Sequence, residues 1–304
     1  MSERAPRPGA PAPAGGAQGH VMRGVVAMFA CVAAFSFMDA LLKVFAAHYP
    51  PLQVSAMRGA ASLPFVLAPL LWSGRLAELR PRTPSLHLLR GLIGVAMLGT
   101  FVYALGKGSL SEVYAVQMFA PLLIVALAVL LLGERADAGS WIAVVAGLSG
   151  VLVVLQPRPG AMPLDAGLAA VACALLYALA AITVRRLAST DSAASMVFSF
   201  LFVIAVVCGL LALPGWVPIA REHWPWLAGV GVLGAIGQHA ITIAFKYAPA
   251  ARIAPVEYTA LLWGLAIDAV FWRRVPSWTV LAGSAIIVGA GLFVVHRERA
   301  DGPS

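Results

Sequence analysis

Residues 116–134 read VQMFAPLLIVALAVLLLGE, and residues 256–274 read VEYTALLWGLAIDAVFWRR. Val116 and Val256 stand 140 positions apart, and from them the two stretches run in parallel. Each has a polar side chain at its second position (Gln117 or Glu257), continues largely apolar with Thr259 and Asp268 as interruptions in the second stretch, and closes on charge. Each is near the ~20 residues a helix needs to cross a bilayer. Neither alternates with period two, as a barrel strand would. A backbone in lipid must satisfy its own hydrogen bonds, so such runs have to be helices.

Working outward, the same reading gives ten apolar segments, at about 22–46, 52–73, 85–105, 109–132, 139–156, 164–187, 193–214, 225–246, 251–272 and 277–296. Turn and charge signals separate them, among them Tyr49-Pro50-Pro51, Arg80-Pro81-Arg82, Gly133-Glu134-Arg135, Pro157-Arg158-Pro159-Gly160 and Pro214-Gly215. The offset of 140 carries segment four onto segment nine, a shift of five. An odd shift reverses the direction of crossing. The expected fold is therefore an all-α membrane protein of ten helices in two inverted five-helix repeats, over 22–157 and 164–296. In such architectures the site lies near the midplane between the halves.

Composition agrees. Of 304 residues, 61% are hydrophobic and 11% charged, against about 45–50% and about 25% in soluble domains. Residues 1–21, rich in Pro, Ala and Gly, are expected to be a disordered tail, and 297–304 a second short tail. The first apolar run is too long for a signal peptide and carries Asp39 and Lys43. The net charge is +8, and 18 of the 21 basic residues are Arg, dispersed along the chain without interleaved aromatics. That pattern marks topology and not nucleic-acid binding. With the N-terminus inside, fourteen basic residues fall on cytoplasmic segments and five outside, so both termini are expected in the cytoplasm. Arg273-Arg274 runs against the trend. Cys31, Cys173 and Cys208 lie in apolar segments with neither disulfide nor zinc spacing, so no metal is expected. The absence of Asn and the Arg- and Ala-rich bias point to a GC-rich bacterium, and so to its inner membrane.

Charges within spanning helices cost about 2.5–3.5 kcal/mol each on insertion scales, so they mark function or pairing. Asp39 and Lys43 are four apart on the first helix and can pair. Arg58 lies at a similar depth on the second. Two readings stand for these three: an ion pair fixing the helices, and a role in a cavity. Glu257 and Asp268 are 11 residues apart, about 16 Å along one helix face, with Glu257 toward the cytoplasm. One reading gives a wet face with an acid near each end; the other gives capping of the helix ends. His239 shares a face with Thr242 and Lys246, and suits either a relay or an interhelical hydrogen bond. Tyr114, Gln117 and Tyr258 offer neutral polar contacts, and Trp263 either stacks on a ligand or packs.

Several of these residues sit in pieces that resemble the drug/metabolite transporter superfamily, EamA type. The pieces are Ser36-Phe-Met-Asp39-Ala-Leu-Leu-Lys43, Arg58, Pro121 followed by Leu-Leu-Gly-Glu134-Arg135, Trp141 and Gly147. In the second half they are Tyr177-Ala-Leu-Ala, Thr183-Val-Arg-Arg186, Gly237-Gln-His239 and Ala254-Pro-Val-Glu-Tyr258-Thr-Ala-Leu-Leu-Trp263. The resemblance covers about 22–296. It implies a metabolite transporter, and the second half is similar to members linked with S-adenosylmethionine or amino-acid-like cargo. Arg273-Arg274 departs from the family's usual Gly-Glu at the end of helix nine, and Asp268 replaces a small or apolar residue.

Enzyme-like strings carry less. Gly229-Val-Gly231-Val-Leu-Gly234 imitates a dinucleotide loop but lies inside an apolar helix. Gly147-Leu-Ser149-Gly150 imitates an intramembrane serine protease with His239 as base, yet a glycine-rich helix packs closely in any case. The chain shows no phosphate-binding loop, so transport would run on a gradient or by exchange. The expectation is a secondary transporter of a small polar or zwitterionic molecule, with no cofactor. Protons are one candidate coupling ion, carried first by Glu257 or Asp39. The alternatives are an intramembrane hydrolase and a membrane subunit without cargo.

Overall fold

A computed structural model describes residues 14–132, 138–156, 160–187, 190–247 and 255–300. Among them the regular elements are all helical. They are α1 (Ala14–Ala46), α2 (Pro51–Trp72), α3 (Pro84–Lys107), α4 (Leu110–Gln117), α5 (Ala120–Leu132) and α6 (Ala138–Val154). There follow α7 (Leu164–Leu187), α8 (Ala193–Ala212), α9 (Trp224–Tyr247), α10 (Thr259–Phe271) and α11 (Trp278–Ala300). Seven described stretches are long and apolar enough to cross a membrane, and 138–154 and 278–294 form shorter apolar helices. The chain is a multipass membrane protein.

Helix starts follow local chemistry. Pro51 and Pro84 occupy first-turn positions of α2 and α3, where a missing N–H costs nothing. Ser109 and Glu112 form a reciprocal capping box on α4. Ser192 caps α8 by accepting from the Ser195 amide.

The structure departs from the sequence reading in three places. The segment 109–132 is not one helix: it breaks at Met118-Phe119. Pro121 has no N–H to give the Gln117 carbonyl four residues back, so the ladder opens there. The segment 251–272 is likewise interrupted, with a helical turn at 255–257, a break at Tyr258, and α10 after it. Here the Thr259 hydroxyl takes the Val256 carbonyl at 2.6 Å. Thirdly, α1 begins at Ala14, inside the stretch expected to be disordered, because extending an established helix adds a bond for each residue fixed. Likewise α11 runs on to Ala300. Residues 1–13, the 133–135 terminus and the 157–159 turn lie outside the described residues.

Packing is pairwise. α1 runs along α9, α3 along α7, α2 along α8, and α6 along α11. α6 and α11 meet backbone to backbone. A Cβ on Gly150 would stand 2.8 Å from the Gly283 carbonyl oxygen, and one on Gly283 would stand 2.6 Å from that of Gly150. Small residues permit this approach where lipid supplies no hydrophobic drive between helices.

Polar clasps tie the helix ends. Asp191, in the α7–α8 turn, accepts from the Arg82 amide at 2.6 Å and the Thr83 hydroxyl at 2.9 Å, and meets His87 Nε2 at 3.1 Å. Burial disfavours its ionised form. The Arg82 amide, Thr190, His87 and Thr83 outweigh this and hold the carboxyl well below the usual range. At the opposite ends, the Tyr49 hydroxyl meets His223 Nδ1 at 2.7 Å and accepts from the Ala220 amide at 3.0 Å. Gln53 exchanges two hydrogen bonds with the backbone of Val217, at 2.6 and 2.9 Å.

Candidate functional site

α4 is only eight residues long and buried along most of its length. Charged side chains cluster at the end of the molecule that holds its first turn. Asp268, 1% exposed, accepts from the Leu110 amide at 3.1 Å, the Ser111 amide at 2.7 Å and the Ser111 hydroxyl at 2.7 Å. It thus caps α4 from another helix, where free amides and the helix dipole favour an anion. Lys43 donates to the Gly108 carbonyl at 2.5 Å, lies 3.8 Å from Asp268, and sits 5.0 Å from the centre of the Trp272 ring. Glu112 binds the Ser109 amide and hydroxyl and accepts from the Met162 amide at 3.2 Å. α1, α4, α10 and the start of α7 are joined here in one polar plug.

One turn deeper along α4, the Tyr114 hydroxyl donates to Asp39 Oδ2 at 2.8 Å. Asp39 Oδ1 is buried without a partner. The pairing of Asp39 with Lys43 that their spacing allows is not the one adopted: Lys43 turns to Asp268, and Asp39 to Tyr114. Arg58 acts on Asp39 through space without a direct ion pair.

Gln117, at the end of α4, donates to the Ala170 carbonyl on α7 at 3.0 Å. Glu257 stands at the corresponding end of the 255–257 turn, half-buried, with no hydrogen bond or ion pair to a described residue. Its charge reaches Cys31, Tyr177 and Tyr258. Tyr177 is 47% exposed, although Glu257, Cys31 and Cys173 are all close enough to act on it.

Tyr258 is buried, and its hydroxyl has no partner. Trp263 packs on Phe29 and Phe37 of α1, with ring centres 5.7 and 5.5 Å away. His239 and Thr242 lie apart from these residues. Both are exposed on α9, and the Thr242 hydroxyl bonds the Gln238 carbonyl of its own helix at 2.8 Å. The serine-base arrangement is not assembled either. Ser149 is exposed on α6 and gives its hydroxyl to the Ala146 carbonyl at 2.6 Å, while α9 packs on α1 and α2.

The structure adds residues that the sequence reading passed over. Glu112 belongs to the plug, and its Ser109-x-x-Glu112 spacing is a legible capping signal. Arg90 donates to the Met196 carbonyl at 2.5 Å and lies against the Phe200 ring, 4.6 Å from its centre.

The EamA-like transporter family matches this chain twice, over residues 22–156 and 166–296. A riboflavin transporter of Vibrio cholerae is 28% identical over 283 residues, covering 92% of this chain and 95% of its own. A pseudopaline exporter of Pseudomonas aeruginosa is 28% identical, covering 87% and 93%. An S-adenosylmethionine uptake transporter of Rickettsia prowazekii is 27% identical, covering 78% and 79%. A crystal structure aligns with 92% of this chain and 99% of its own at a TM-score of 0.64 and 22% identity, which speaks to the fold.

Proposed function

Because the chain belongs to the EamA-like transporter family, we propose that it is a secondary transporter of ten membrane crossings, arranged as two inverted five-helix halves. It moves a small polar or zwitterionic metabolite across the bacterial inner membrane by alternating access, with both termini in the cytoplasm.

The observation that carries this reading is the pair of interrupted helices. The breaks fall at Met118 and Tyr258, which are 140 positions apart, the offset of the sequence repeat. Interrupted helices at matching positions of two halves are where transporters of this architecture bind. The packing supports the same exchange. Replacing each helix by its counterpart five crossings on turns the α1–α9 pair into the α7–α3 pair, and leaves α2–α8 and α6–α11 unchanged. Toward one end Lys43, Glu112 and Asp268 are buried together, while nearer the other Tyr177 is 47% exposed and Glu257 half-buried. A carrier caught open to one side has this asymmetry.

The site residues on this reading are Asp39, Tyr114, Gln117, Glu257 and Tyr258, with Arg58 beside Asp39. Lys43 and Asp268 serve as the gate, and Trp263 packs. The chemistry of the halves is unequal: Asp39 matches Leu179, Lys43 matches Thr183, and Gln117 matches Glu257. The cargoes named for the relatives, riboflavin, pseudopaline and S-adenosylmethionine, are small organic molecules that a mixed-charge site suits.

The test is uptake into proteoliposomes across an imposed pH gradient, over a panel of amino acids, nucleosides, flavins and S-adenosylmethionine. Saturable flux of one of them, uncoupled from the gradient in Glu257→Gln or Asp39→Asn, is expected. Coupling left intact in both variants would remove protons from the mechanism. Absence of flux across the panel in either direction would count against transport of this cargo class.

A further inference from the structure

On the Arg58 side of Asp39, a cavity of about 150 Å³ lies between α1, α2, α3, α8 and α9. Its polar lining is Arg58 and Ser62 of α2, Arg90 of α3 and Gln238 of α9, with Phe35 and Phe200 among the apolar walls. Among the described residues, no carboxylate lines it. Two guanidinium groups lining one partly open cavity within a membrane protein, without an acid among the described lining residues, are costly unless something neutralises them.

Their bonding capacity is largely unspent. Arg58, the Ser62 hydroxyl and the Gln238 amide make no side-chain hydrogen bond to a described residue. Arg90 uses one nitrogen on Met196, and its Nε is buried without a partner. A guanidinium offers five donors in a planar fork, and its natural complement is an oxyanion held by two of them. Asp39 lies near enough to feel Arg58 but does not enter the cavity lining and makes no ion pair with it.

We propose that this cavity is an oxyanion-binding site in which Arg58 and Arg90 together hold a carboxylate or phosphate group of a soluble molecule, with Gln238 and Ser62 as neutral donors. The volume admits such a group and little more, so the rest of a larger solute would extend toward Asp39. The assignment deepens the transport reading, since the oxyanion is then the anionic end of the cargo, and in that respect it rests on that reading.

The test is direct binding to the purified full chain in neutral detergent, which needs no flux. Thermal stability is titrated with inorganic phosphate and with acetate at constant ionic strength, against chloride as control. A saturable rise is expected, as for any ligand that binds only the folded state. In Arg58→Gln, which loses no internal hydrogen bond, the apparent Kd should weaken roughly tenfold or more, as for loss of a charge-assisted bond. Arg58→Lys should recover part of it. Arg90→Gln is the second variant, read only if its unliganded melting temperature stays within a few degrees of the parent's. Four results would overturn the site: no shift with either anion, equal shifts in parent and Arg58→Gln, a shift that follows ionic strength alone, or stabilisation by phosphatidylglycerol with none from soluble anions. Intact binding without any flux would count against the transport reading and leave this site standing.

Discussion

The hydroxyl of Tyr258 lies directly against Gly291 of α11: a Cβ at position 291 would overlap the hydroxyl oxygen and stand 2.7 Å from Cζ. The break in the ninth segment therefore stays in place partly because α11 has no side chain there. Gly291→Ala should force Tyr258 aside and destabilise the protein by about 1–3 kcal/mol, the usual cost of overpacking. The hydroxyl is also buried without a partner. Tyr258→Phe alone should thus be neutral or stabilising by about 1 kcal/mol, and Tyr258→Phe combined with Gly291→Ala should regain only part of the loss, because Cζ remains 2.7 Å from the added Cβ. Thermal denaturation of the four proteins in one detergent gives the cycle.

Asp268 serves two partners, the amides of α4 and the ammonium of Lys43. Asp268→Ala leaves the α4 amides without an acceptor and Lys43 without its counter-charge in a buried place, and should cost roughly 3–5 kcal/mol, the range for breaking a buried pair. Asp268→Asn keeps an acceptor for the Ser111 amide and should cost less. If the plug is the closed gate, a cysteine placed at Ser109 should become reactive to an impermeant maleimide in Asp268→Asn, at a rate well above that of the parent background.

The Asp191 carboxyl is held below its ordinary range by the amide and side-chain donors around it, against the opposing effect of burial. A lowered folded-state value contributes stability at every pH above the unfolded value of about 3.9. That contribution is lost as the pH falls through the folded value. Parent protein should therefore melt above Asp191→Asn at neutral pH, and the gap should close only below about pH 4. Melting temperatures of both proteins from pH 8 to the acid limit of solubility check this; a gap closing near pH 6 would assign the effect to another group.

Arg273 adopts φ 51°, the left-handed region. The Asp268 carbonyl at this helix end accepts from the amides of Trp272 at 3.1 Å and Arg274 at 3.0 Å. Left-handed backbone costs a residue with a Cβ about 1–2 kcal/mol. Arg273→Gly should relieve that strain, less the extra freedom glycine gains when unfolded, and raise the melting temperature slightly. Arg273→Ala, which keeps the Cβ, should not.

The sequence already contained most of the crossings, because a run of twenty apolar residues leaves the backbone one solution in lipid. It also contained the repeat, since Val116 and Val256 open stretches of the same pattern. The two breaks were less visible. Pro121 announces the first, but the second depends on Thr259 capturing the Val256 carbonyl, and threonine does this in unbroken helices as well. Partnerships were the least legible. Asp39 and Lys43 stand one turn apart and invite pairing, yet each finds its partner on a distant helix, Tyr114 and Asp268. His239 and Thr242 share a face with a cation in the sequence, but only packing decides that the face is the outer one. Arg90 could not be told from a topology-setting arginine until α8 placed Phe200 above it.

The Asp268 cap has a consequence for how the protein is made. The amides of Leu110 and Ser111 receive their acceptor from a residue 157–158 positions later. At ~5–20 residues per second, the ribosome supplies it roughly 10–30 s after α4 has been synthesised. During that interval the first turn of a short, buried helix must rely on Ser109 and Glu112, from its own sequence. Chains truncated before Asp268 never gain this cap, and in them Lys43 lacks its counter-charge.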